Sequence, residues 1–254
     1  MDNKKYSGFV LKNIALVLMF INHFFNIYFT KFECPNQLID DMQILLTRGS
    51  FFIFCFLLSE GMKHTRSRKN YILRLLCTAI ISEIIYDYAF NNTLFYWYDQ
   101  NVFFDLTMSA ITICVYDYFK NNKPLQMSLI ILICIIDILL FFNYGIVAIV
   151  WTLTFYICGN NKKKLIELII PVTIITPFIF YIIAYLRLGY KPYWDFIIKY
   201  GSIEACAVFL LPLIFMYNGN KGKQFSKWFY YGFYPTHLIV IKLLVDYVIK
   251  YPLF

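Results

Sequence analysis

The stretch FVLKNIALVLMFINHFFNIYFT, residues 9–30, decides the fold. A helix needs roughly 20 mostly apolar residues to cross the hydrocarbon core of a bilayer, and this run has them. Its polar residues are few: Lys12 and Asn13 near the start, Asn22, His23 and Asn26 in the second half, and Thr30 at the end. Eight more runs of the same kind follow, at about 43–62, 71–90, 102–119, 125–142, 144–158, 165–186, 201–217 and 228–249. The second is the least regular. The fifth and sixth meet at Phe142-Asn143-Tyr144-Gly145, a very tight connection.

The composition agrees. Of 254 residues, 60% are apolar, 21% aromatic and only 15% charged, whereas soluble domains carry about a quarter charged residues. A soluble globule, a disordered chain and a Gly/Pro-rich low-complexity protein are all excluded. The net charge of +8 reads as topology signals and not as a nucleic-acid face, because no stretch is long enough to fold into a soluble basic module. The seven cysteines form no C-x-x-C pair and six lie in apolar runs, where Cys acts as a small hydrophobe. Neither a disulfide framework nor a metal site is expected. The first run lacks a small-residue cleavage motif, so no removable signal peptide is expected.

Basic residues orient the spans. With nine spans, the clusters at Lys4–Lys12, Lys63–Arg74, Lys120–Lys123, Lys162–Lys164 and Lys221–Lys227 all fall on one side, and Lys31, Arg48, Arg187, Lys191, Lys199, Lys242 and Lys250 on the other. The first side holds more than twice the positive charge of the second. The expected fold is therefore all-α: a polytopic transmembrane helix bundle of about nine spans, N-terminus inside, in a single domain over residues 1–254. The longest connections, about 31–42 and 187–200, are expected outside.

Ionisable groups inside spans are costly and usually face a bundle interior or a water-filled cavity. His23, Glu60, Glu83, Asp87, Asp105, Asp137, Glu204, His237 and Asp246 are such groups, with Asp105, Glu204 and Asp246 readable as boundary residues. His23 follows Lys12 by eleven positions, about three turns, so the two share a helix face about 16 Å apart along the axis. A cation at the membrane edge with an imidazole deeper on the same face suits a long anionic ligand such as coenzyme A, with phosphates at one end and a thioester at the other. Imidazole is a usual general base near neutral pH. The basic run Lys63-His64-Thr65-Arg66-Ser67-Arg68-Lys69, with Arg74, is a positive-inside anchor or a phosphate-holding turn. Tyr217-Asn218-Gly219-Asn220-Lys221-Gly222-Lys223 joins helices, or offers backbone N–H groups to an anion. Pro235 in Tyr234-Pro235-Thr236-His237 predicts a kink beside a buried histidine.

Together these segments resemble the TraX family, whose namesake acetylates the N-terminus of the F-pilus pilin subunit. The matching stretches are Leu11-Lys12-Asn13-Ile14-Ala15 through Asn22-His23, Arg48-Gly49-Ser50-Phe51-Phe52, Glu60-Gly61-Met62-Lys63-His64-Thr65-Arg66, Tyr71 to Arg74, Ile81-Ser82-Glu83 to Asp87, Asn101-Val102-Phe103-Phe104, Asn143-Tyr144-Gly145, Tyr217-Asn218-Gly219 and Tyr234 to His237. The resemblance covers nearly the whole chain, and the Glu60–Arg66 run is its most specific part. One departure is Asn22 where the family pattern has Asp before the histidine; another acid, Glu60 or Asp87, would then orient His23. The chain is also similar, more weakly, to the acyltransferase-three family of membrane O-acyltransferases, with Lys12 in place of its arginine. That likeness maps His23 to the acyl-transfer histidine and Lys12 to a coenzyme A phosphate contact.

The resemblance implies an acetyltransferase of the bacterial cytoplasmic membrane that takes acetyl-CoA as donor. The acceptor would be a pilin or peptide N-terminus, or a glycan. His23 is the expected base, with Asn22, Glu60 and His237 beside it. Lys12, His64, Arg66, Arg68, Arg74, Asn218, Gly219, Lys221 and Lys223 are expected on the donor, Arg48 and Asp87 on the acceptor. Arg74, Asn26 and His237 are candidate oxyanion donors. The alternatives are a proton-coupled transporter and a non-catalytic scaffold.

Overall fold

The computed structural model describes residues 5–32, 36–187 and 194–251. Cys34 and the parts of the two long connections at 33–35 and 188–193 lie outside the described residues. The described chain is helical, with only isolated β-bridges. Its helices are α1 (Gly8–Phe29), α2 (Gln37–His64), α3 (Arg68–Asn91), α4 (Val102–Tyr118), α5 (Lys123–Leu139), α6 (Ile146–Cys158), α7 (Lys162–Arg187), α8 (Trp194–Ala205), α9 (Leu211–Phe215) and α10 (Lys227–Leu243). A 3-10 turn, Cys206–Leu210, joins α8 to α9, and a π-helical turn, Leu244–Val248, ends α10. Each of the nine apolar runs thus falls on one helical run among the described residues. Three of these, Gly8–Phe29, Lys162–Ile183 and Trp194–Phe215, are long and apolar enough to cross a membrane.

The second and eighth helical runs start earlier than hydropathy predicts, at Gln37 and Trp194. The reason is capping and charge. Asn36 Oδ1 accepts from the Ile39 N–H, and the added polar turns of α2 and α8 meet through a Lys199–Asp41 ion pair of 2.9 Å. Hydropathy finds the apolar portion of a helix and not its polar overhang. Elsewhere the ends fall where capping residues stand: Ser67, Asn101, Asn122 and Ser226 each accept from an N–H of the following first turn, satisfying donors the helix cannot.

Helix α2 runs through the middle of the bundle, packed on α1, α4, α6 and α8. Its Phe51 stacks on Tyr144 at 3.6 Å, and its Phe52 meets Trp151 and Phe155 edge-on, each at 5.0 Å. Between helices in lipid there is little hydrophobic drive, so this close packing holds the bundle. Large apolar side chains such as Val17, Ile80, Ile81, Ile84, Leu132 and Ile175 face outward.

The tight connection between α5 and α6 is built around Asp105. Its Oδ1 accepts from the N–H groups of Tyr144 and Gly145 at 3.0 and 2.9 Å, and the residue is wholly buried. Its carboxylate thus serves a turn. Gly145 has φ 54° and ψ −140°, a conformation open essentially only to glycine. Gly145→Ala should lower stability by roughly 1–3 kcal/mol, read as a fall in the thermal unfolding midpoint.

The N-terminal segment is sewn to the turn between α9 and α10. Tyr6 pairs with Tyr217. The Gly8 and Phe9 N–H groups, free donors at the start of α1, bond to the carbonyls of Asn220 and Lys221 at 2.8 and 2.9 Å. Gly222, at φ 70°, lies against Ser7 so closely that a Cβ would collide with Ser7 Oγ. This contact brings Lys221 to the first turns of α1, close to Lys12.

Candidate functional site

Two adjoining cavities run between the helices. The larger, of about 570 Å³, has Lys12, His64, Arg74, Lys221 and Lys227 around a polar end and Leu16, Phe103 and Leu106 on its apolar walls. The smaller, of about 290 Å³, is lined by Asn22, His23, Asn26, Arg48, Ser50, Tyr86, Asp99, Asn143 and Tyr144. Met19, Phe54, Val102 and Tyr234 line both. Among the α1 residues along this path are Lys12, Leu16, Met19 and His23, spaced four, three and four residues apart. That spacing keeps them on one helical face, and it carries the path from a cation to an imidazole.

The polar end of the larger cavity is basic. Lys12 Nζ sits 4.1 Å above the Tyr230 ring and donates to Gln224 Oε1 at 3.2 Å. Arg74 lies beside the Tyr71 ring, 5.6 Å from its centroid. The carboxylate here is Glu60, paired with Lys63 at 2.9 Å and 3.7 Å from His64. Basic groups from α1, α2, α3, α10 and the 217–224 turn therefore converge on one opening.

In the smaller cavity His23 Nδ1 lies 2.7 Å from His237 Nε2, with the two rings stacked at 5.0 Å. His237 Nδ1 lies 2.8 Å from the Phe233 carbonyl. A carbonyl only accepts, so His237 Nδ1 carries a proton. With both rings neutral, His237 Nε2 is then the acceptor and His23 Nδ1–H the donor. His23 keeps its lone pair on Nε2. The chain of contacts thus selects the tautomer that a base requires.

Around the pair is a polar cup. Asn26 Nδ2 donates to Asn22 Oδ1 at 3.2 Å. Asp99 accepts from Tyr86 Oη at 2.8 Å and from Asn143 Nδ2 at 2.9 Å. Burial pushes the Asp99 carboxyl above the usual carboxylate range, against the pull of those two bonds. Arg48 pairs with Glu204 at 2.9 Å and lies over the Tyr144 ring at 4.6 Å. Glu204 also accepts from Tyr181 Oη at 3.1 Å.

Several expectations from sequence are corrected by this geometry. The side chain in contact with His23 Nδ1 is His237, and neither Glu60 nor Asp87. Glu60 belongs to the basic opening, and Asp87 accepts from the Tyr96 N–H at 2.7 Å, pinning the loop after α3. Arg68 is turned away from the cavity: its guanidinium bonds Asp117 at 2.5 Å and Tyr156 Oη at 2.7 Å. Arg66 and Lys223 are not in the cavity lining either. Asn218 and Gly219 stand outside the cavity lining, and the Asn218 N–H is spent on the Tyr6 carbonyl. Asn218 Oδ1 accepts from the Asn220 N–H, and the turn presents carbonyls to α1. Lys12, His64, Arg74 and Lys221 do line the larger cavity, and Asn22, His23 and Arg48 the smaller. Arg68→Ala should lower the unfolding midpoint through loss of the Asp117–Tyr156 contacts while leaving ligand affinity at the larger cavity within about twofold. A titration of the variant checks it.

Sequence reasoning missed Asp99, Tyr86, Asn143 and Gln224. Tyr86, on α3, and Asn143 lie within stretches that carry the family resemblance, which was the signal for them; Asp99 and Gln224 stand in connections, where a polar residue is ordinary.

Helices of membrane-crossing length, with a histidine-centred polar cavity enclosed among them, define a polytopic helical membrane protein. The chain belongs to the TraX family: a family model described as "TraX protein" matches residues 7–245. It is also similar to a protein of Dichelobacter nodosus described as "Probable fimbrial assembly protein FimC, serogroup H1". The two are 24% identical over 258 residues, covering 94% of this chain and 96% of that protein. No solved structure matches.

Proposed function

We propose that this chain is a membrane-embedded acyltransferase that moves acetyl from cytosolic acetyl-CoA to an amine or hydroxyl of an exported acceptor. The observation that carries the reading is the single face Lys12–Leu16–Met19–His23, running from a basic opening to a base-competent imidazole through two adjoining cavities. The phosphates of coenzyme A match the opening formed by Lys12, Arg74, Lys221 and His64. Its pantetheine arm matches the path over Leu16 and Met19, and the thioester reaches His23. The basic opening faces the cytosol, with the N-terminus inside the bacterial cytoplasmic membrane. The acceptor occupies the cup of Asn22, Arg48, Asp99 and Asn143. A pilin or peptide N-terminus is favoured by the TraX membership and by the fimbrial-assembly relative, and a glycan hydroxyl uses the same chemistry.

In this mechanism His23 Nε2 takes the acceptor's proton as its nitrogen or oxygen attacks the acetyl carbon. The tetrahedral intermediate collapses, the C–S bond breaks, and the thiolate of coenzyme A leaves with the proton from His23. While His23 is an imidazolium, its Nδ1–H bond to His237 is charge-assisted and stronger.

Thermal unfolding of the detergent-purified protein tests this, because a ligand that binds only the folded state raises apparent stability. Acetyl-CoA should raise the midpoint of the wild type and of His23→Ala but not of Lys12→Ala. No rise with any acyl-CoA in well-folded protein would overturn the proposal in favour of a carrier or scaffold.

A further inference from the structure

We propose that the Tyr234 hydroxyl is the oxyanion donor of the acyl-transfer step, an inference that rests on the acyltransferase reading. A tetrahedral intermediate needs a hydrogen-bond donor where the carbonyl oxygen gains charge. The polar groups near His23 are almost all committed. His237 gives Nδ1–H to the Phe233 carbonyl and presents Nε2 as an acceptor to His23. Asn26 donates to Asn22. Arg48 is held by Glu204. Tyr86 and Asn143 both donate to Asp99. Arg74 stands at the basic opening, toward the Lys12 end of the path.

Tyr234 differs from all of these. It is 2% exposed, yet it lines both cavities, at the junction that the thioester must reach. Its ring meets the His23 ring edge-on at 5.9 Å and the Phe103 ring at 4.9 Å, so it is held from two sides. Among the described residues its hydroxyl makes no hydrogen bond. The hydroxyl opens onto the cavity, so its proton is available to a ligand oxygen. At the junction that ligand oxygen is the thioester carbonyl. The phenol donates to it more strongly as charge develops and keeps its proton throughout. Base and donor are then set on α1 and α10, and the His23–His237 contact holds those two helices in register.

Tyr234→Phe removes one oxygen and keeps the ring packing. Thiol release from acetyl-CoA, with hydroxylamine as probe acceptor and the His23→Ala rate subtracted, should fall about 100-fold in kcat, as for other single oxyanion donors, with KM unchanged. A second readout is the infrared carbonyl stretch of carbonyl-13C acetyl-CoA bound to His23→Ala protein, where no turnover occurs. The stretch should lie below its solution value and return to it in the His23→Ala/Tyr234→Phe double variant. A wild-type kcat, or a stretch unmoved by the second substitution, would overturn the role of Tyr234 and leave acetyl-CoA binding intact. Loss of the acetyl-CoA-induced rise in unfolding midpoint in the wild type would instead remove the acyltransferase reading and this role with it.

Discussion

His23→Ala should abolish acetyl transfer, lowering kcat by at least the 10²–10⁴-fold that a positioned general base contributes, while acetyl-CoA still stabilises the protein. The two effects separate because they arise at opposite ends of one helix face. Phosphate holding belongs to the Lys12 end and proton transfer to the His23 end. The partner histidine gives a graded companion result. His237 Nε2 accepts from His23 Nδ1–H at 2.7 Å, so a replacement that still accepts at that point preserves the tautomer. His237→Gln should therefore retain more activity than His237→Leu, which leaves the His23 proton unpaired and free to move to Nε2. Initial rates of thiol release from acetyl-CoA measure all three variants. Full activity in His23→Ala would sink the mechanism, and equal loss in the two His237 variants would sink the tautomer argument.

Glu204→Leu should be strongly destabilising. Arg48 is half-buried and its guanidinium is neutralised at 2.9 Å by a carboxylate that is itself 1% exposed. Breaking a buried pair by removing one partner typically costs about 3–5 kcal/mol, because the other charge stays behind uncompensated. Removing both partners is far milder. Glu204→Leu should thus show a large drop in unfolding midpoint, and Arg48→Met/Glu204→Leu should recover most of it. A double variant as unstable as the single would mean that packing, and not charge, dominates at this site. The same pair bears on the acceptor cup. Arg48 was expected to meet substrate, and it does line the cavity, but with its charge already balanced by Glu204. It shapes the cup as a hydrogen-bonding wall over Tyr144 more than as a free cation.

The local grammar of the chain was readable without a structure. Nine apolar runs correspond to helical runs because hydropathy and length act within a segment. The Lys12–His23 register was readable because the helical repeat is fixed at 3.6 residues per turn. Membership of the TraX family was legible from motifs such as Glu60–Arg66. The roles within the basic run were not: Arg68 and His64 stand four residues apart in one motif, yet Arg68 closes on Asp117 and His64 faces the cavity. Nothing in their spacing distinguishes them, because the turn at Thr65–Ser67, between α2 and α3, redirects the chain.

Sequence alone determined an all-helical membrane chain with a cation and an imidazole on one face of its first helix. Only the tertiary structure decided what that imidazole can do. His23 and His237 are 214 residues apart, and so are linked by no periodicity. Their contact exists because α1 and α10 pack together and because the turn before α10 caps the first N–H groups of α1. Helix formation depends on neighbours three and four residues away. The tautomer of a buried base depends on whichever carbonyl or ring the folded bundle presents to it.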